Sequence, residues 1–110
     1  MFDNGFQRSE PYSRGLELEL NGSAARSVWQ FRPSRTNWSR AVGAARRLAN
    51  GNTFLTFGMS PGLGGSTGPV EVYEAAPDGS AVWHLEVGGN VQILYRATPI
   101  RSIGAKRCAR

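Results

Sequence analysis

Leu16-Glu17-Leu18-Glu19-Leu20-Asn21-Gly22, followed at a short distance by Ser27-Val28-Trp29-Gln30-Phe31, decides the fold. Apolar and acidic residues alternate with a period of two, so three leucines share one face and two glutamates the other, the pattern of a half-buried strand. Asn-Gly tolerates positive φ and marks a tight turn, and the apolar run after it supplies a returning strand. A hairpin pairing Leu16–Leu20 with Ser27–Arg32 is expected. The same design recurs downstream. Val70-Glu71-Val72-Tyr73-Glu74 leads through Pro77-Asp78-Gly79 into Ala81-Val82-Trp83-His84-Leu85-Glu86-Val87. Laying Val28-Trp29 over Val82-Trp83 gives a period of 54 residues and sets Leu16 over Val70 and Leu18 over Val72. Repetition on this scale marks solenoids and propellers.

Between the two hairpins, Gly43–Leu48 and Thr53–Phe57 flank Ala49-Asn50-Gly51-Asn52, a further turn signal. Four strands in meander order over 43–87 make a unit of the size of one propeller blade. The spacing predicts the end of a preceding blade over 15–32, a first or closing strand over 91–100, and a basic tail over 101–110. The fold class expected is therefore all-β, with antiparallel meander sheets forming an incomplete part of a propeller. The Gly58–Pro69 stretch holds Gly62, Gly64 and Gly65, but no lysine precedes Ser66 or Thr67 and a strand follows it. It reads as a blade loop rather than a phosphate-binding loop.

Composition narrows the function. The chain of 110 residues carries a net charge of +5, yet a single lysine, Lys106, and arginines scattered from Arg8 to Arg110. A nucleic-acid interface needs clustered basic residues interleaved with aromatics, so no nucleic acid is expected as partner. No stretch nears the ~20 apolar residues of a membrane-spanning helix. The start, Met1-Phe2-Asp3-Asn4-Gly5, lacks the basic and apolar regions of a signal peptide. Cys108 is the only cysteine and has no partner for a disulfide or a thiolate metal site, and no metal or cofactor is expected.

Phe2-Asp3-Asn4-Gly5, Tyr12-Ser13-Arg14-Gly15-Leu16-Glu17, Ser27-Val28-Trp29-Gln30, Leu48-Ala49-Asn50-Gly51-Asn52-Thr53, Val82-Trp83 and Tyr95-Arg96-Ala97 occur in an order that resembles the later blades of the bacterial arylsulfotransferase family. The most specific part is Asp3-Asn4-Gly5 followed by Tyr12-Ser13-Arg14. The resemblance implies a six-bladed propeller that moves a sulfuryl group from a phenolic sulfate ester to a phenol through a sulfohistidine, and a periplasmic or extracellular parent. It also implies that Asn4 and Arg14 belong to the sulfate site. Arg14 suits that role because a planar guanidinium binds two oxygens at once. A salt bridge from Arg14 to Glu17, Glu19 or a neighbouring blade is the alternative, and for Asn4 it is a plain terminal position.

The family's catalytic members carry a histidine where this chain has Phe2, and a phenylalanine neither attacks sulfur nor shuttles a proton. The only histidine, His84, falls on the outermost strand of its meander, over Gln30 in the repeat, and is expected to be a bland edge residue far from Arg14. Trp29 and Trp83 are expected to be packing wedges between blades, and Asn50, Asn52 and Asp78 turn residues. Two function classes follow. One is a piece of an arylsulfotransferase-like enzyme, inactive as this chain, with no catalytic residue of its own. The other is a non-catalytic propeller module for binding or scaffolding. Expected partners are an aryl sulfate or another small anion, together with missing blades or further copies of the chain.

Overall fold

The computed structural model describes residues 1–33, 38–59, 69–88 and 93–100, which form two antiparallel sheets and contain no helix. The first sheet has the order β1 (Phe2–Asp3), β2 (Arg14–Asn21), β3 (Ala24–Phe31). The second runs β4 (Gly43–Arg47), β5 (Thr53–Phe57), β6 (Val70–Ala75), β7 (Ala81–Val87), each strand beside its neighbour in the chain. The expected hairpins and the four-stranded meander over 43–87 are present. The described residues do not close into a ring.

Each turn is built by the residues that announced it. Gly22 carries φ +60° between the paired Asn21 and Ala24. Gly51, at φ +88°, donates its N–H to the Leu48 carbonyl while Asn50 Oδ1 accepts from Asn52 N at 3.0 Å. Asp78 Oδ1 accepts from both Ser80 N and Ser80 Oγ. A carboxylate or amide that bonds two residues ahead holds a turn without help from the sheet.

The repeat is closer in space than in sequence. Glu17 lies opposite Trp29, and Glu74 lies opposite Trp83. In both hairpins the register shifts directly after that glutamate, so that Val28 and Val82 have no opposite residue. Each Val-Trp pair is thus a β-bulge followed by its tryptophan, and a bulge re-aims the side chain beside it. The first-strand alignment needs correction: Leu16 corresponds to Tyr73, opposite Gln30 and His84 respectively, rather than to Val70. The cause is turn length, since two residues separate Asn21 from Ala24 but five separate Ala75 from Ala81.

The core lies between the sheets. Strand alternation sends Leu55, Phe57, Tyr73 and Ala75 to one face of the second sheet, where they join Phe31 of the first. Phe2, Trp29 and Ala45 pack around this cluster. Rings meet edge-on or tilted, with centroids 5.1 Å apart for Phe2 and Phe57, 5.2 Å for Phe31 and Tyr73, and 5.6 Å for Phe57 and Tyr73. Trp29 spans the gap and donates Nε1–H to the Ala76 carbonyl at 3.2 Å, the wedge expected of it. Trp83 instead projects from the far face of the second sheet, stacked on Phe54 and still 45% exposed.

Two expectations are corrected here. The leucine face of β2 is buried only at Leu16: beyond the bulge Leu18 is 39% exposed and Leu20 75%. Residues 93–100, expected as a strand, form none. Leu94 N donates to the Gly58 carbonyl at 2.8 Å and Ala97 N to Thr56 Oγ1 at 3.0 Å, so the segment bonds partly to a side chain on a face of the sheet instead of adding to its edge. Residues 91–92, the basic tail over 101–110 and most of the Gly58–Pro69 loop lie outside the described residues.

The burial contrast gives a direct check. Leu55→Ala should lower unfolding free energy by about 3 kcal/mol, as deletion of a fully buried leucine does. Leu20→Ala should stay within about 0.5 kcal/mol of the unsubstituted chain. Urea midpoints with a common slope measure both, and equal losses would show that the end of the first hairpin is covered.

Candidate anion-binding site

Alternation on β1 and β2 divides the N-terminal motif between two faces. Phe2 lies opposite Gly15 and Asp3 opposite Arg14. Phe2 and Gly15 point into the inter-sheet core, where the Phe2 ring packs on Phe57 and over Gly43. Asp3 and Arg14 therefore project from the opposite face. Arg14 Nε donates to Asp3 Oδ2 at 2.9 Å, and its Nη1 to Gln30 Oε1 at 3.0 Å. Its salt bridge is thus with Asp3 rather than with Glu17 or Glu19. Glu17 is paired with Arg47, and Glu19 with Arg26.

Arg8, on the loop after β1, reaches the same carboxylate. Its Nη2 donates to Asp3 Oδ2 at 2.5 Å and its Nη1 to the Tyr12 carbonyl at 2.9 Å. Gly5 N donates to Asp3 Oδ1 at 3.0 Å and turns the chain at φ +70°, where a Cβ would collide with Arg8 and with the Tyr12 carbonyl. Arg8, Arg14 and Arg32 also gather on one ring: their guanidinium carbons stand 4.3, 6.0 and 3.7 Å from the Tyr12 centroid. Three cations thus surround one aromatic ring and two of them share one carboxylate, which leaves an excess of positive charge in this cluster.

Asp3 responds to that field. Burial alone would raise its pKa, but hydrogen bonds from Arg8 and Arg14, the charge of Arg8 and the Gly5 N–H together outweigh it and hold the carboxyl below its ordinary 3.8.

Asn4 does different work. Its Nδ2 donates to the Ser39 carbonyl at 2.6 Å and, at 3.5 Å, to that of Val42. Ser13, fully buried like Ser39, donates Oγ–H to the Asn4 carbonyl and accepts from Ser39 N at 2.7 Å. Ser39 Oγ in turn accepts from Met59 N at 3.0 Å. The amide donors of Asn4 are spent on the chain entering β4, so Asn4 fixes the loop beside the arginines. Asn4 and Arg14 are brought into one neighbourhood through Asp3, but they are not aimed at one point.

Arg8, Arg32, Tyr12 and Asp3 were missed by the sequence reading. A signal existed for Arg32: once Gly15 is set opposite Phe31, the next pair outward is Arg14 and Arg32. Arg8 gave no such signal, because it arrives on a loop. His84 lies where the meander order placed it, on the outermost strand β7. It stacks on Tyr73 at 4.2 Å with its Nε2 3.3 Å from Glu71 Oε1, and it takes no part in the contacts around Arg14.

No protein-family model, curated protein or solved structure matches the chain.

The Arg8-Asp3-Arg14 cluster sets a pH dependence. A carboxyl whose pKa is depressed on folding stabilises the fold fully above its unfolded value of 3.8 and loses that contribution as pH falls through the lower folded value. Asp3→Asn should cost about 1 kcal/mol at neutral pH, a modest figure because all three groups keep about a quarter of their side-chain exposure. Thermal unfolding of both chains at neutral pH and near pH 2.5 tests this: the gap should narrow in acid. A gap that is constant with pH would remove the ion cluster from the account.

Proposed function

We propose that the chain is an oxyanion-binding, non-catalytic portion of an arylsulfotransferase-like β-propeller, holding a sulfate ester beside Arg14, Arg8 and Arg32. The observation that carries the reading is the convergence of three guanidiniums on Tyr12 with one carboxylate among them. Guanidinium forks match the paired oxygens of a sulfuryl group, and the aromatic ring beside them suits the aryl part of an ester.

The propeller part of the proposal is supported by the direction of the tryptophans. Trp29 leaves its bulge toward the second sheet and is closed over by it, while Trp83 leaves an equivalent bulge on the face turned away from the first sheet and stays half exposed. Each sheet thus presents its tryptophan to the next in sequence, as successive blades do, and Trp83 awaits a neighbour.

The non-catalytic part is supported by the geometry at position 2. Phe2 occupies the place of the family's histidine, but its side chain enters the inter-sheet core on the opposite face from Arg14. An imidazole there would have its back to the arginines. His84 is held on β7 by Glu71 and Tyr73. Binding of an anion without a nucleophile in reach stabilises the ground state at least as much as the transition state and so does not lower the barrier.

The test is titration with sulfate and with 4-nitrophenyl sulfate, beside an assay for nitrophenol release with and without a phenolic acceptor. We expect a Kd on the order of 1 mM, weakened by salt because the arginines face water. Arg8→Ala and Arg14→Ala should each weaken binding several-fold, while Arg26→Ala, which removes an exposed cation paired with Glu19, should not. No turnover should appear, and Phe2→His should add none. Acceptor-dependent turnover lost in Arg14→Ala would overturn the non-catalytic reading. Binding indifferent to Arg8 and Arg14 would overturn the site itself.

A further inference from the structure

We propose that Glu71, His84 and Glu86 form a binding site for a borderline divalent transition-metal ion such as Zn²⁺, on the β6–β7 hairpin and separate from the arginine cluster. Glu71 lies directly opposite Glu86 across the two strands, and His84 stands two residues before Glu86, so the period-two alternation puts all three side chains on one face. One ligand atom from each lies within 4.8 Å of the other two. The separation of His84 Nε2 and Glu71 Oε1, 3.3 Å, is close to the ~3.4 Å edge of a tetrahedron with metal–ligand bonds of about 2.1 Å. Glu86 is exposed on the same face.

The surroundings resemble a shell that orients ligands. The Tyr73 ring lies flat under the imidazole, 4.2 Å away and inclined by 10°, and fixes its plane. The Tyr73 hydroxyl donates to Glu71 Oε1 at 3.2 Å. Groups that hold ligands in this way are a regular part of metal sites. Glu71 lies directly opposite Glu86 and has only 2% of its side chain exposed. One imidazole with two carboxylates selects Zn²⁺, Co²⁺ or Mn²⁺ over Mg²⁺, which prefers oxygen ligands and keeps its waters. The partial exposure of His84 leaves an entry path, and coordination positions open to water.

The measurement is calorimetric titration of the full chain with Zn²⁺ and with Mg²⁺, in a Cys108→Ser background that removes the only thiol. Co²⁺ absorption in the visible reports the coordination number. One Zn²⁺ should bind per chain, and Mg²⁺ at the same concentration should not. His84→Gln and Glu86→Gln should each weaken Zn²⁺ by at least about tenfold and abolish the tetrahedral Co²⁺ bands. Both positions lie on an edge strand and retain exposure, so the apo variants should stay folded, with Glu86→Gln keeping its unfolding temperature, unlike a change at buried Glu71. No saturable Zn²⁺ binding would mean that His84 serves only as a polar neighbour of Glu71 and would overturn the proposal. Zn²⁺ binding unchanged in both variants would overturn it equally.

Discussion

The contact of Leu55 with the bare backbone of Gly15 governs the arrangement of the two sheets. A Cβ at Gly15 would lie 2.5 Å from Leu55 Cδ2 and 3.2 Å from the Trp29 ring, so the sheets approach this closely only because position 15 has no side chain. Leu55 is wholly buried as a result, and the Phe31, Phe57 and Tyr73 rings close around it. The same contact sorts the N-terminal motif. With Gly15 turned to the core, its cross-strand partner Phe2 is turned there too, and Asp3 and Arg14 must point away. Where the cations gather is therefore a consequence of where the glycine is.

Much of the architecture could be read from turn chemistry. Asn21-Gly22, Asn50-Gly51 and Asp78-Gly79 sit at the tips of the three tight hairpins, and the alternation between them marks the paired strands. Alternation identifies which residues share a face, however, and not what covers that face. Leu16, Leu18 and Leu20 look equivalent in the sequence, yet only Leu16 is buried. The three-residue offset in the repeat was hidden for a related reason: the eye aligns Val-Trp with Val-Trp, while the strand before it is placed by the length of the turn. Residues 93–100 misled because an apolar run beside a sheet can bond to a side chain on its face as well as to its edge.

Less of the candidate site was legible. Arg14 and Asn4 were identified through a likeness of motifs, which carries residue types but not their partners. The structure gives Asn4 to the carbonyls of Ser39 and Val42, and Arg14 to Asp3 and Gln30. Arg8 and Tyr12 are joined by a loop whose shape depends on the positive φ of Gly5 and on the hydrogen bond to Asp3. No periodicity encodes such a loop. The Glu71-His84-Glu86 grouping was hidden differently, since the spacing His84-x-Glu86 is short and common, and the third member is defined only by the β6–β7 register.

The bulges connect these levels. β3 and β7 are the outer strands of their sheets, and each contains the unpaired valine of a Val-Trp pair. An extra residue on an outer strand bends it, breaks the ladder, and makes the edge a poor template for another strand. Charged residues along both strands, Arg26 on β3 and Glu86 on β7, act in the same direction. The irregularity that aims Trp29 into the gap between the sheets is therefore also the one that discourages edge-to-edge pairing. A regular strand at Val28 would restore a flat edge and, by the two-residue alternation, shift every following side chain to the other face, carrying Trp29 out of the core. Packing between sheets and resistance to unwanted pairing at their edges are thus set by one extra residue in each hairpin.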